Sequence, residues 1–226
     1  MTESRPTVAL IHASAASVEP AVEAFAADFP DARVWNLLDD LLVVDADAAG
    51  GLTPALHERM SSLIRYAVAG GADAVQLSCS MYGPVAYAAD QVEAATVLAS
   101  DQAMFERVVE VAPARVGILG SLASAVADSA ARLAAHLADA GVASTIATRV
   151  VDGASEAANA GDPERLERLM VEAALELGRQ VDLLVLAQYS LAPTRAGIAA
   201  VSAVPVLSAP QLAASRLAEL LTRSTP

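Results

Sequence analysis

The sequence predicts an α/β protein of two similar halves, each a mainly parallel four-stranded sheet flanked by helices. Three observations carry this reading. Short, continuous apolar runs such as "TVALIH", "DAVQLS", "RVGILG" and "DLLVLA" alternate with longer helical stretches, as parallel strands buried on both faces do. Glycine, proline and cap residues punctuate the runs. The chain also repeats itself: "ADAVQLSCSMYGP" (72–84) lies over "VDLLVLAQYSLAP" (181–193), with Cys79 over Gln188 at an offset of 109.

The elements follow in order. "TVALIH" is a buried strand, and Ser17 stands where the N-cap of the next helix is expected. "ARVWNLL" is a second strand. Thr53-Pro54 pairs a cap with proline at the first helical position, and the helix runs to Gly70-Gly71. "DAVQLS" and "TVL" are the third and fourth strands. The second half repeats this with "RVGILG", a helix to about Gly141, "VASTIAT", Asp162-Pro163 with its helix, "DLLVLA" and "VPVL". The offset of 109 also sets Thr53-Pro54 over Asp162-Pro163 and "TVLASDQ" (96–102) over "PVLSAPQ" (205–211). Near the N-terminus, "TVALIHASAAS" falls over "RVGILGSLASA" at an offset of 108. Pro210 opens a final helix expected to return to the first half. The expected halves are therefore residues 1–100 plus 208–226, carrying Cys79, and 101–207, carrying Gln188. Each is Rossmann-like, and the pair is pseudo-symmetric.

Composition narrows the function classes. With 14 basic and 27 acidic residues the net charge is −13, which repels phosphate backbones and argues against nucleic acid. No apolar run reaches the ~18 residues of a membrane span. The N-terminal stretch lacks a basic lead and a long apolar core, so no signal peptide is expected. A lone cysteine forms no intrachain disulfide, and the chain reads as soluble and cytoplasmic. Alanine-rich helices and an apolar composition suit a homo-oligomer.

Ligands of such sheets sit beyond the carboxyl ends of the strands. Those ends carry His12-Ala13-Ser14, Asn36, Cys79-Ser80, Gly120-Ser121 and Gln188-Tyr189-Ser190. If the halves face each other, these segments converge on a cleft, which is the expected active site. Each residue also has a plainer reading. Cys79 is an inert core residue. His12 bonds a backbone carbonyl. Ser14, Ser80, Ser121 and Ser190 are helix caps, the preferred reading for Ser14 and Ser190. Asn36, Asp39 and Asp40 in "NLLDDLL" are turn and cap residues. Leu37 and Leu38 are core or an apolar wall over a substrate. Gln188 is a polar remnant, and His57 and His136 are surface or packing residues.

The paired strand exits resemble the aspartate/glutamate racemase superfamily. "LSCSMYGP" is similar to its first cysteine motif, with Cys79 as the thiol, and "LAQYSLAP" to its second, with Gln188 in place of the second cysteine. "VALIHA", "NLLDD" and "LAQYS" resemble a racemase-like branch of the group. The resemblance implies two α/β halves with a cleft between them, a small carboxylate substrate, and neither metal nor organic cofactor. It implies Cys79 and His12 as catalytic candidates. Ser14, Asn36, Ser80, Met81, Ser121, Gln188, Tyr189 and Ser190 become candidates for substrate binding. Related members include hydantoin racemase, maleate isomerase and arylmalonate decarboxylase; the last uses one cysteine, in its second half.

Racemising a carbon acid takes a base on one face and an acid on the other, work that suits a thiol near neutral pKa. Glutamine exchanges no protons at neutral pH and can only hydrogen-bond. Two-thiol racemisation is therefore broken here, unless another group such as His12 replaces the second thiol. One-thiol chemistry stays open: protonation of an enolate after loss of carbon dioxide, covalent addition, or single-base elimination or isomerisation. Any of these needs aligned N–H and hydroxyl donors for the developing negative charge. The sequence thus points to a racemase- or isomerase-type carbon-acid enzyme. A decarboxylase or lyase is the alternative, and a non-catalytic binding protein is a further one.

Overall fold

The computed structural model describes residues 5–223. Residues 1–4 and 224–226, counted above in the expected leader-free N-terminus and the first half, lie outside the described residues. The first sheet is built from β1 (Thr7–His12), α1 (Val18–Asp28), β2 (Arg33–Leu38), α2 (Leu41–Ala49), α3 (Pro54–Ala69), β3 (Ala74–Leu77), α4 (Gly83–Asp90) and β4 (Thr96–Leu98). Its strands are all parallel, in the order β2-β1-β3-β4. α5 (Gln102–Val111) leads into β5 (Arg115–Gly120), α6 (Ala123–Asp139), β6 (Thr145–Val150), α7 (Ala154–Asn159), α8 (Pro163–Leu177), β7 (Leu183–Leu186), α9 (Arg195–Val201) and β8 (Val206–Ser208). This second sheet has the same parallel order, β6-β5-β7-β8. The last described element is α10 (Ala209–Arg223). Contacts divide it into two compact units: residues up to Gln102 together with those from Pro210 on, and Ala103–Ala209.

Local chemistry explains the boundaries. All six residues of β1 are buried, as are all four of β3 and of β7, so their runs show no alternation. The Thr53 hydroxyl accepts the Leu56 N–H, and the Asp162 carboxylate accepts the Arg165 N–H, each ahead of a proline at the helix start. The repeated aspartate before each central strand has a structural task. Asp73 accepts the Thr7 N–H at 2.7 Å, and Asp182 accepts the Arg115 N–H at 2.9 Å, fixing where each strand pair begins. The Arg115 side chain also bonds Asp182 and holds its carboxyl below the usual aspartate range.

Each unit has its own core. In the first, Ile11, Leu42, Met60, Ile64, Val75, Leu77, Tyr82 and Val97 pack together. In the second, Leu119, Met170, Leu184, Leu186, Leu191 and Ile198 do so. A Cβ on Gly117 would come within 3.0 Å of Leu177 and Leu184, so glycine there lets α8 lie close on β5.

Two elements depart from expectation. "VASTIAT" forms a strand only from Thr145, which then continues to Val150. The Val142 N–H is spent closing α6 on Leu137 after Gly141 turns at φ 69°, and pairing with β5 begins at Arg115 with Thr145. After "NLLDD" no helix is expected before Thr53-Pro54, yet Leu41 starts one that ends at Gly50, at φ 74°.

Candidate active site

The strand order decides where a ligand belongs. In each sheet the order reverses between the first and third strands, and ligands of such sheets bind beyond the carboxyl ends of those two. In the first unit those ends are His12 and Leu77, followed by Ser78-Cys79. In the second they are Gly120, followed by Ser121, and Leu186, followed by Ala187-Gln188. The ladders continue alike past both ends: Ser78 N–H bonds Ile11 O, and Ala187 N–H bonds Leu119 O.

Cys79 is half-buried, in extended backbone, directly before a 3-10 turn over Ser80–Tyr82 that runs into α4. The first N–H groups of such a turn, Ser80 and Met81, have no carbonyl within it and are aimed out of its start. Cys79 and Met81 pack against the core of the first unit. Tyr82, which has no exposed surface, anchors the turn by donating its hydroxyl to Leu42 O at 2.9 Å. Burial, with the nearby Cys79 charge as a second cause, pushes the Tyr82 phenol up to about 12, so it stays a donor.

Next to Cys79 in sequence, Ser78 joins a polar cluster that is buried at His12 and Ser17 and exposed at Asn36. His12 has no exposed surface; its Nδ1 is 3.0 Å from Ser78 Oγ and 3.2 Å from Ser17 Oγ. Its Nε2 is 3.0 Å from Asn36 Oδ1. The two serine oxygens are 2.9 Å apart, and Ser17 Oγ donates to Ser14 O at 2.7 Å. Burial lowers the His12 pKa against the opposing bond to Asn36. Asp39 donates its backbone N–H to His12 O, while its carboxylate pairs with Arg59, which also holds Asp45.

The second unit has a different polar pair. Gln188 Oε1 accepts the Ser121 backbone N–H at 2.8 Å and its hydroxyl at 3.0 Å. The acceptor end of the amide is thus committed, and the amide N–H groups are the end left to donate. Tyr189 is buried and Ser190 half-buried, both in a 3-10 turn over Tyr189–Thr194.

Within the first unit the structure therefore brings His12 and Asn36 into contact and sets Cys79, Ser80 and Met81 on one turn. Within the second it brings Ser121 and Gln188 into contact beside Tyr189 and Ser190. The cap readings change. Ser14 is exposed and Ser17 caps nothing with its side chain, which turns inward to His12. Ser121 serves Gln188, and Ser190 lies inside its turn rather than before it. Asp40 precedes α2 without a side-chain cap bond. His57 and His136 are half-buried on helices; the first is followed by Ser61 bonding its carbonyl, and the second packs against Phe105. Ser17 and Ser78 are the site residues that sequence reasoning missed. Their signal was in the repeat, where His12 falls over Gly120 and Ser78 over Ala187, so at these two positions only the half with the thiol is polar. Among the described residues no cluster of three or more His, Cys, Asp or Glu is placed to hold a metal, and no helix is long and apolar enough to cross a membrane.

No family profile and no curated protein matches this chain. Solved structures do match its fold. Allantoin racemase from Klebsiella pneumoniae is similar at a TM-score of 0.69 and 16% identity, over 96% of this chain and 88% of that one. A glutamate racemase isoform from Bacillus anthracis is similar at a TM-score of 0.71 and 12% identity, over 97% and 83%. A liganded variant of arylmalonate decarboxylase is similar at a TM-score of 0.65 and 21% identity, over 98% and 94%. In that variant a glycine is replaced by cysteine and, later in the chain, a cysteine by serine.

Proposed function

We propose that the protein is a cofactor-independent carbon-acid enzyme of the aspartate/glutamate racemase superfamily. It acts on a small carboxylate through the Cys79 thiol, in the cytoplasm, in keeping with its single cysteine. The observation that carries the reading is the position of Cys79. The only thiol of the chain follows the central strand at the point where the sheet order reverses, at the start of a turn with outward N–H donors. Those donors, with the Ser80 hydroxyl, suit the negative charge of an enolate. In the second unit, the Gln188 amide N–H groups, with Oε1 held by Ser121, are neutral donors suited to a carboxylate.

Racemisation or isomerisation is the family-level reaction. A specific observation favours one-thiol chemistry as the second reading. Gln188 stands at the second motif with its oxygen held by Ser121, so this position binds but does not exchange protons. In a decarboxylation the bond to the carboxylate breaks, carbon dioxide leaves and its electron pair stays as an enolate. Cys79 then gives that carbon its proton and is reprotonated from solvent. Arylmalonate decarboxylase shares the fold, and one solved variant of it carries cysteine at an earlier position and serine at a later one.

The test is a screen of small carboxylates in deuterated water, read by mass spectrometry and chiral chromatography. Racemisation or isomerisation incorporates deuterium without loss of mass, whereas decarboxylation releases carbon dioxide. Cys79→Ser is expected to lower either rate by about 10²–10⁴-fold. Ligand-induced stabilisation that survives Cys79→Ser, with no turnover in the parent protein, would instead establish a binding protein.

A further inference from the structure

The cluster around His12 has a definite proton count. A carbonyl only accepts, so the single proton of the Ser17 hydroxyl is committed to Ser14 O. Asn36 presents its oxygen to Nε2, so Nε2 carries a proton and donates. None of the groups hydrogen-bonded to the ring is acidic, and the nearest acid along the backbone, Asp39, is turned to Arg59. The ring has no exposed surface, although Asn36 at its Nε2 end is exposed, so a second ring proton would place a charge without an acidic partner on a buried ring. Nδ1 therefore keeps its lone pair, and the one remaining proton that can fill it belongs to Ser78, with Ser17 Oγ at 2.9 Å as the competing acceptor. Ser78 immediately precedes Cys79, and the same ring joins the ends of β1, β2 and β3 through His12, Asn36 and Ser78. The second unit, without the thiol, has glycine and alanine at the positions of His12 and Ser78 and no such cluster.

We propose that His12 is an uncharged, Nε2-protonated positioning residue that accepts the Ser78 hydroxyl proton and so anchors the strand exit carrying Cys79, and that it is not the second proton carrier. Ser17 and Ser78 thereby join the machinery of the site. The inference rests on the carbon-acid reading for its meaning, but its test needs no substrate, so the two fail separately.

The experiment is ¹⁵N NMR of the His12 ring, combined with iodoacetamide labelling of Cys79 across pH, read by intact mass. The expected ring signature is the Nε2–H tautomer with no titration through the neutral range. The Nδ1 shift moves in Ser78→Ala while Nε2 stays. His12→Asn keeps an acceptor near the Nδ1 position but holds no exchangeable proton at neutral pH. It should leave the labelling rate within about threefold of the parent, whereas His12→Leu, which strands the Ser78 hydroxyl, lowers it about tenfold. If His12→Leu does not fold, Ser78→Ala supplies the same arm by removing the donor, with circular dichroism as the control. A ring that titrates near neutrality, an Nδ1–H tautomer, or equal losses in His12→Asn and His12→Leu overturns the proposal.

Discussion

Gln188 and His12 give two residue-scale expectations that do not depend on the substrate. Gln188→Leu removes the acceptor for both donors of the buried Ser121. It should cost about 1–3 kcal/mol in urea unfolding, and Gln188→Glu, which keeps an oxygen there, should cost less. For His12 the folded pKa is lowered, chiefly by burial. The unfolded chain then takes up a proton below about pH 6.5 that the folded ring refuses, so stability is full above that value and declines as pH falls through the window beneath it. Urea midpoints should fall between about pH 8 and about pH 5.5, and His12→Asn should remove that part of the slope. The two residues also mark what was legible. Cys79 and Gln188 were visible because a repeat aligns them along the chain. The turn of Ser17 toward His12 was not, because it depends on Ser78, 61 residues away, while its local signal was that of an ordinary helix cap.

At the scale of elements, strands and caps were readable because they depend on near neighbours. Thr53 and Asp162 each accept an N–H three residues ahead, and the buried runs of β1, β3, β5 and β7 announce parallel strands. α2 was hidden because "LLVVDADAA" is a short apolar run, which periodicity does not assign to helix or strand. The start of β6 was misplaced because it is set by the partner strand rather than by its own residues. Packing between elements makes its own prediction at Gly70. There a Cβ would lie 2.7 Å from the Trp35 ring, which also meets Tyr66 at 5.6 Å between centroids. Gly70→Ala should destabilise by about 1–3 kcal/mol in thermal unfolding and alter Trp35 fluorescence, because the ring must leave its seat on the end of α3.

At the scale of the molecule, the two units repeat one topology but differ in continuity. The second is a single stretch, Ala103–Ala209, and the first is completed by α10 from the far end of the chain. Ala213, Ala214 and Leu217 on that helix are buried. Leu217→Ala should cost about 2–5 kcal/mol, and hydrogen exchange should quicken in β1 and β3 before β5 and β7. Thiol chemistry assigned to the first unit would thus lean on residues beyond the second.

That discontinuity gives the protein a direction in time. As the chain leaves the ribosome, the unit with Cys79 emerges first but lacks its closing helix until the second unit has been made. The second unit, being continuous, has all of its residues before then. A chain cut after Ala209 would carry a finished second unit and an unfinished thiol-bearing one, so Cys79 sits in a complete unit only once α10 has been made.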